Sequence, residues 1–340
     1  MSFQNCKLAG KGVSPDAYHD HNIQRGEREH PVSPSMLKAF AHCPSRWIHG
    51  YVSPDSQSKD FGNLLDTLVL TPELFGKRYA VEPSEYTNEK GEKKPWHNGA
   101  KVCKEWQLDQ IAKGLIITND VAIAEARLAT QRIIDDEILS GFIAASDRQV
   151  LVEGEWLDEK TGIVLPVRCL LDLAPRPDTE FATCLGDLKS SRSAAIQAFQ
   201  RDVFKFGYHI QAAFDLDIFN AATGEQRGKW CIVVQENFQP FEIGRRMMVD
   251  VEPGTQPESG NMINLGRSQY RRILENYCWC LANEKWPSYD DTDESSGGWT
   301  AIAAEPWMEG QVLFEPRFST DDSEDEEPPA PEDPKGDVIP

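Results

Sequence analysis

A change of pattern near residue 149 constrains the fold of this 340-residue chain more than any other sequence feature. Two segments rich in apolar and β-branched residues, VLVEGEWL and IVLPVRCLLDLA, flank the turn-forming run DEKTG. This arrangement predicts a β-hairpin. A third strand, TCLGDLK, and a long helical region at 193–220 follow it. We therefore expect an α/β protein whose core is a central mixed β-sheet flanked by helices.

Helical periodicity is found on both sides of these strands. Apolar residues at helical spacing predict helices after the N-cap Ser35, over 61–70, over 101–113 and over 119–140. Two further strands, KWCIVVQE and FEIGRRMMVD, precede a last helix near 265–283. The sheet is therefore expected to be covered by helices.

We expect one folded domain between two polar ends. Residues 1–30 are polar and aperiodic, which predicts a poorly ordered lead-in. Residues 31–310 are expected to form the folded domain. The acidic segment 311–340 cannot bury enough apolar area to offset the entropy of ordering, so it is predicted to be a disordered tail.

The sequence gives no indication of a membrane protein. No apolar run approaches the ~20 residues that span a bilayer. The start of the chain, MSFQNCKLAGKG, lacks the apolar stretch of a signal peptide. We expect a cytoplasmic protein without membrane contact.

The formal net charge of −20 argues against a uniformly basic nucleic-acid binder. Residues 321–340 contribute −8 of this charge, and the rest of the chain carries −12. DNA binding would therefore require local basic patches. Each candidate is also consistent with ordinary solvated surface charge; the candidates are Arg192, Arg201, Lys205, Arg245, Arg246, Arg271 and Arg272.

Two aspartates and a lysine lie on the second and third predicted strands. Asp172 is followed, after a gap of fourteen residues, by Asp187-Leu188-Lys189. Because side chains alternate along a strand, Asp187 and Lys189 share one face while Leu188 packs on the other. If the Asp172 strand lies alongside, two carboxylates converge beside one lysine. Oxygen ligands of this kind suit Mg²⁺ or Mn²⁺.

This cluster contains the chemical groups that phosphodiester cleavage needs. A divalent ion offsets the charge of the phosphate and lowers the pKa of a bound water, and a lysine can orient or deprotonate the nucleophile. Asp172 and Asp187 are then metal ligands, and Lys189 is the catalytic helper. A D-x-K sequence alone also occurs as an ordinary ion pair on a sheet, so the hypothesis depends on further residues.

A wider set of motifs resembles the RecE-like nucleases, a branch of the PD-(D/E)XK fold shared with RecB-type and lambda exonucleases. The resemblance covers about residues 31–307. It includes SPSMLKAFAHCPSRW, FGNLLDTLVLTPELF, the D…DxK pair, a helix with Tyr208 and Gln211, and LGRSQYRRILENYCWCLANEKWPSY. Tyr208 and Gln211 share a helix face. The resemblance implies that they face the active site or bind a DNA phosphate.

The resemblance also implies a function. RecE-like enzymes digest one strand of linear double-stranded DNA from an end, 5′ to 3′, and leave single strand for recombination. It implies Mg²⁺ or Mn²⁺ held by Asp172, Asp187 and the backbone carbonyl of Leu188. It further implies a homo-oligomer, a RecT-like single-strand annealing protein as partner, and a phage or prophage source.

Two more acidic residues enter the ligand set through the resemblance. Asp66 stands where the family usually carries a histidine near the metal. An aspartate can ligate a hard cation but cannot act as an imidazole partner to the phosphate. Glu153 and Glu155 share a strand face, and the RecB-like pattern favours Glu153 as a third acidic ligand. Both positions are also consistent with ordinary polar surface residues.

Two other functions stay open from the sequence. The chain could be another PD-(D/E)XK nuclease, such as a CRISPR-associated RecB-like enzyme or a structure-specific endonuclease. It could also be a catalytically inactive DNA-binding or assembly module of the same fold. Asp66 in place of histidine favours the inactive module, whereas Asp172, Asp187 and Lys189 weigh against it.

Overall fold

The computed structural model describes residues 2–51, 57–251 and 261–289. The chain divides into two units, Met1–Thr292 and Asp293–Pro340, and the described residues all belong to the first. The predicted acidic tail at 311–340 therefore lies outside the described residues.

The described part of the chain alternates helices and strands. The helices are α1 (Pro15–His19), α2 (Pro34–His42), α3 (Pro44–Ile48), α4 (Gln57–Leu70), α5 (Phe75–Arg78), α6 (Lys101–Ala112), α7 (Asp120–Asp135), α8 (Glu137–Ala144), α9 (Ile196–Lys205), α10 (Tyr208–Thr223) and α11 (Met262–Asn283). The strands are β1 (Ser2–Gly10), β2 (Tyr79–Val81), β3 (Glu85–Thr87), β4 (Lys93–Pro95), β5 (Ile116–Thr118), β6 (Ser146–Leu157), β7 (Val164–Pro175), β8 (Cys184–Ser191), β9 (Lys229–Glu236) and β10 (Ile243–Val249). None of these helices is both apolar enough and long enough to cross a bilayer.

A six-stranded sheet forms the centre of the fold. Its strand order is β1-β6-β7-β8-β9-β10. The β8–β9 pair is parallel and the other pairs are antiparallel. A parallel pair needs a long crossover, which α9 and α10 supply between β8 and β9. The predicted central mixed sheet with flanking helices is confirmed.

Helices cover both faces of this sheet. Helices α2, α10 and α11 pack on one face, where Trp156, Phe214 and Tyr270 are fully buried. Helices α4, α7 and α8 pack on the other face, where Leu65 and Phe142 are buried. The sheet is therefore the middle layer of three, as its nearly continuous apolar strands require.

The N-terminal segment corrects one prediction. Residues 1–30 were expected to be a poorly ordered lead-in, but Ser2–Gly10 forms edge strand β1, paired with β6. The polar sequence conceals this role because only one face of the strand meets the core. Phe3 and Cys6 pack against the core, and the ring centroid of Phe3 lies 5.2 Å from those of both Trp156 and Phe214.

The long helical region predicted at 193–220 is two helices. Helix α9 ends at Lys205, and α10 begins at Tyr208 after Gly207. Gly207 has φ +64°, a left-handed conformation that glycine adopts without steric cost. The break places Tyr208 in the first turn of α10, where its ring centroid lies 5.4 Å from Lys189 Nζ of β8.

Helices α10 and α11 approach each other closely at Gly266. A Cβ atom at this position would overlap the backbone carbonyl of His209 in α10. The next residue, Arg267, fixes the same contact through Nη2, which lies 2.8 Å from Asp217 Oδ1 and 2.7 Å from Asp250 Oδ2. The α10–α11 packing therefore requires glycine at residue 266.

We expect Gly266→Ala to destabilise the protein by at least about 2 kcal/mol, since the added methyl group forces two backbones apart. The matched control is Gly141→Ala in α8, where an added Cβ would meet no atom within 4 Å. That control should be neutral or slightly stabilising, because alanine is the better helix former. Urea unfolding followed by circular dichroism measures both, and equal midpoints for the two variants would contradict the packing account.

Candidate active site

The candidate site lies where β7 and β8 separate. These two strands pair at Leu173 and Gly186. Asp172 in β7 and Asp187 in β8 each lie one residue beyond this pair. The N–H of Leu188 donates to Asp172 Oδ2 at 3.0 Å. The Asp172 side chain thus binds a backbone N–H that continued β7–β8 pairing would have bonded to a backbone carbonyl.

Both oxygens of Asp172 are held by hydrogen bonds. While Oδ2 accepts from Leu188, Oδ1 accepts from Gln149 Nε2 at 3.0 Å. Gln149 lies in β6 between Arg148 and Val150, whose partners are Leu173 and Leu171, so the register places it opposite Asp172. Gln149 was not anticipated from the sequence, because only the strand register brings it to the site.

Asp187 is fixed by residues on its own strand and on α10. Its carboxylate forms an ion pair with Lys189 Nζ, and Oδ1 accepts from Gln211 Nε2 at 3.1 Å. Leu188 packs on the opposite face of β8, in the apolar cluster with Leu65. This matches the predicted alternation. The structure thus brings Asp187, Lys189 and Gln211 together.

Two lysines lie near the ring of Tyr208. Lys189 Nζ is 5.4 Å from the ring centroid, and Lys38 Nζ is 5.6 Å from it. Lys38 comes from α2, and burial followed by repulsion from Lys189 lowers its pKa to about 8. Lys38 was not singled out from the sequence. It was overlooked because a lysine on a mostly apolar helix is usually an exposed residue.

Asp66 on α4 belongs to the same electrostatic cluster. Burial, and then repulsion from Asp172, raises the pKa of Asp66 well above its ordinary value. Asp187 adds to the same rise, and Lys189 opposes it. Asp66 is thus close enough to the other two carboxylates to interact with them electrostatically.

The charges of the site are strongly coupled. Burial, followed by repulsion from Asp187, raises the pKa of Asp172 to about 7. Burial opposes the charged form of Lys189, but attraction to Asp187 and Asp172 outweighs it and raises the lysine pKa. Lys189 is therefore a stable cation beside the carboxylates, suited to hold or neutralise an anion rather than to remove a proton.

Glu153 does not join the cluster. The register places it opposite Arg168, four residues along β7 from Asp172, which is about 13 Å at strand spacing. Its other neighbour is Lys7 of β1. Glu155 is also engaged elsewhere, accepting from Asn5 Nδ2 at 2.6 Å. The expectation that Glu153 supplies a third ligand is therefore corrected by the strand register.

The donor set fits a hard divalent cation. Two neighbouring carboxylates repel each other, as the raised pKa of Asp172 indicates, and their oxygens are ligands that Mg²⁺ and Mn²⁺ accept. The Leu188 carbonyl lies at the same place, 3.5 Å from Lys189 Nζ. No group of three or more His, Cys, Asp or Glu side chains within residues 2–51, 57–251 and 261–289 is arranged around a common metal position. Asp172 and Asp187, with the Leu188 carbonyl beside them, could hold a metal.

We expect Asp172→Asn to raise the melting temperature at pH 8 in EDTA by roughly 3 °C, since it removes a buried like charge. Because folding raises this carboxyl pKa to about 7, its stabilising contribution is complete below the unfolded pKa of about 3.9 and is lost as the pH rises through 7. The gain should therefore disappear near pH 4. Gln149 Oε1, which has no hydrogen-bond partner among the described residues, can accept from the new amide after a flip.

Differential scanning fluorimetry across pH 4–8 measures this effect. The control is Asp178→Asn, which removes a carboxylate from an exposed turn and should leave the melting temperature unchanged. A gain for Asp172→Asn that is independent of pH, or a loss of stability at pH 8, would show that the two carboxylates are not coupled.

Comparisons with known proteins identify a family and a similar fold. A family model described as "PDDEXK-like domain of unknown function" matches residues 33–295. No curated protein matches the chain at a significant level. Thirteen chains of solved structures match. One is the crystal structure of a "Putative exonuclease" from Eubacterium rectale, which is 15% identical, covers 90% of this chain and 100% of its own, and has a TM-score of 0.52.

At that level of identity the structural likeness concerns the fold alone. The family model, in contrast, spans more than half of the chain and includes both strands that carry the aspartates. PD-(D/E)XK nucleases generally use divalent metals, in keeping with the donor set at the junction of β7 and β8. The chain belongs to the family of PDDEXK-like domains.

Proposed function

We propose that this protein is a metal-dependent DNA exonuclease of the RecE-like type, acting 5′ to 3′ on linear double-stranded DNA. The observation that carries the proposal is the placement of Asp172, Asp187 and Lys189 at the separation of β7 and β8. The PDDEXK-like family supports a nuclease. The RecE-like type and the direction of digestion come from the sequence motifs that the chain shares with those enzymes.

The protein's own residues divide the chemical tasks. Asp172 and Asp187 present carboxylate oxygens, each oriented by two partners. Lys189 provides a positive charge that can hold a phosphate oxygen and stabilise the charge that develops on it. Gln211 orients Asp187, and the hydroxyl of Tyr208 offers a further donor beside Lys189.

Mg²⁺ or Mn²⁺ is the proposed cofactor, held by Asp172, Asp187 and the Leu188 carbonyl, with Asp66 available as a nearby carboxylate. When bound, such an ion offsets the charge of the phosphate and lowers the pKa of a bound water. A homo-oligomer and a RecT-like annealing partner are part of the proposal through the RecE-like motifs. A cytoplasmic location, expected from the sequence, is also part of the proposal.

We expect release of nucleotides from linear duplex DNA in Mg²⁺ or Mn²⁺, with no cleavage of a closed circular duplex. Asp187→Asn should reduce the rate at least about 100-fold, because metal-assisted charge stabilisation contributes several kcal/mol. Release of labelled nucleotides from duplexes marked at either the 5′ or the 3′ end measures rate and direction together.

Glu153→Gln is the matched control, because it removes a carboxylate from the neighbouring strand about 13 Å from Asp172. It should keep full activity. Cleavage of the circle would replace the exonuclease by an endonuclease of the same fold. Absence of cleavage by the wild-type protein with both metals would replace the enzyme by an inactive DNA-binding or assembly module.

A further inference from the structure

A groove beside the candidate active site exposes several aromatic rings. It lies between α2, the α9–α10 junction and α11, and we call it the aromatic groove. Four aromatic residues that line it have large exposed fractions: Phe204 (62%), Phe206 (46%), Trp279 (46%) and Tyr289 (56%). Aromatic rings bury large apolar areas in ordinary cores, so four exposed rings in one groove indicate a binding surface.

The charge of the aromatic groove is opposite to that of the whole chain. Its charged lining residues are Lys38, Lys205 and Arg272. Among the described residues, those that line it include no Asp or Glu, although the chain has a net charge of −20. None of these three cations forms an ion pair with a carboxylate in the described ranges. The groove is therefore a local positive surface on an acidic protein, and it suits a polyanion.

Two residues connect the aromatic groove to the candidate active site. Lys38 lines the groove, and its Nζ lies 5.6 Å from the ring centroid of Tyr208, a ring that also lies 5.4 Å from Lys189 Nζ. Gly207 lines the groove immediately before Tyr208. The groove and the carboxylate cluster are therefore neighbours on either side of Tyr208.

We propose that the aromatic groove binds a single strand of DNA and leads it to or from the carboxylate cluster. The choice of DNA rests on the nuclease function proposed above. Bases stack on the exposed faces of Phe204 and Trp279, and the backbone phosphates lie near Lys205 and Arg272. Base stacking on aromatic rings occurs without sequence preference, as a non-specific exonuclease requires.

A single strand fits these features better than a duplex or a second copy of the chain. The faces of the bases are covered by their neighbours in a duplex, so they cannot stack on protein rings unless the strands separate. A second copy of this acidic chain would have to present negative charge to the cations and apolar surface to the rings at once. The structure assigns the groove to a ligand with alternating anionic and aromatic groups.

The test measures binding by the full-length protein in EDTA, where cleavage cannot occur. Fluorescence anisotropy gives the affinity for labelled oligothymidine of about 20 nucleotides and for a blunt duplex of similar length. Phe204→Ala and Trp279→Ala should each weaken single-strand binding about tenfold and change duplex binding less than about twofold. The matched control is Phe238→Ala, a ring that is 50% exposed outside the groove and should have no effect.

A second arm tests the cations through salt dependence. Lys205→Gln should lower the slope of the logarithm of affinity against the logarithm of salt concentration by about 0.7 for the single strand. Lys104→Gln on α6 is the control, because Lys104 is exposed and does not line the groove. Its slope should match that of the wild type.

Several outcomes would overturn the proposal. Unchanged single-strand affinity in both aromatic variants would remove the groove as a DNA site. Equal weakening for single strand and duplex would make it a general anionic surface. If the aromatic variants changed the oligomeric state in analytical ultracentrifugation but not the affinity for DNA, the groove would be an interface between copies of the chain.

Separate controls distinguish failure of the groove proposal from misfolding of a variant and from failure of the proposed nuclease function. Phe204 stacks on His209 at 5.5 Å, so its variant is compared with Trp279→Ala, and the melting temperature of each is measured. Because binding is recorded without metal, single-strand binding by a protein that cleaves nothing would retain the groove and reject only the nuclease. Cleavage of DNA by the wild-type protein, together with unchanged single-strand affinity in the groove variants, would retain the nuclease and reject the groove.

Discussion

Strands β7 and β8 separate beyond the Leu173–Gly186 pair, and this separation determines what the site can contain. Continued pairing would satisfy the Leu188 N–H with a backbone carbonyl. Instead that N–H binds Asp172, and the neighbouring position in β8 presents Asp187. Two carboxylates, one buried and one partly buried, thereby lie close together, which is unfavourable unless a cation lies beside them. Lys189 is that cation within the protein.

The surrounding residues keep the unfavourable pair in place. Gln149 from β6 and Gln211 from α10 each donate to one carboxylate, so neither aspartate can turn away from the other. The α10 contact depends in turn on the packing of α10 against α11, where Gly266 allows the close approach. Sheet register and helix packing together hold the two carboxylates close to each other despite their mutual repulsion.

Much of the site could be predicted because its main members are local in sequence. Strand alternation placed Asp187 and Lys189 on one face, and helical spacing placed Gln211 beside Tyr208. Gln149 and Lys38 reach the site from distant segments, through a register and a packing angle that no local pattern encodes. The prediction that Glu153 is a third ligand was wrong for the same reason, since the position of Glu153 depends on which β7 residue it faces.

The fold shows the same division between local and long-range information. The hairpin, the third strand and most helices follow from periodicity. Strand β1 does not, because this mostly polar edge strand packs few side chains, Phe3 and Cys6 among them, against the core. The break at Gly207 could not be predicted from periodicity either, because the apolar pattern continues through it. The aromatic groove arises only when α2, α10 and α11 are packed together, so its rings and cations have no common sequence motif.

The most direct test of the account is a Mn²⁺ titration of the full-length protein, followed by electron paramagnetic resonance of the free ion. We expect a bound ion in the wild-type protein and in Glu153→Gln, and its loss in both Asp172→Asn and Asp187→Asn. Equal Mn²⁺ binding by all four proteins would contradict the claim that the two aspartates at the separation of β7 and β8 form one metal-binding centre.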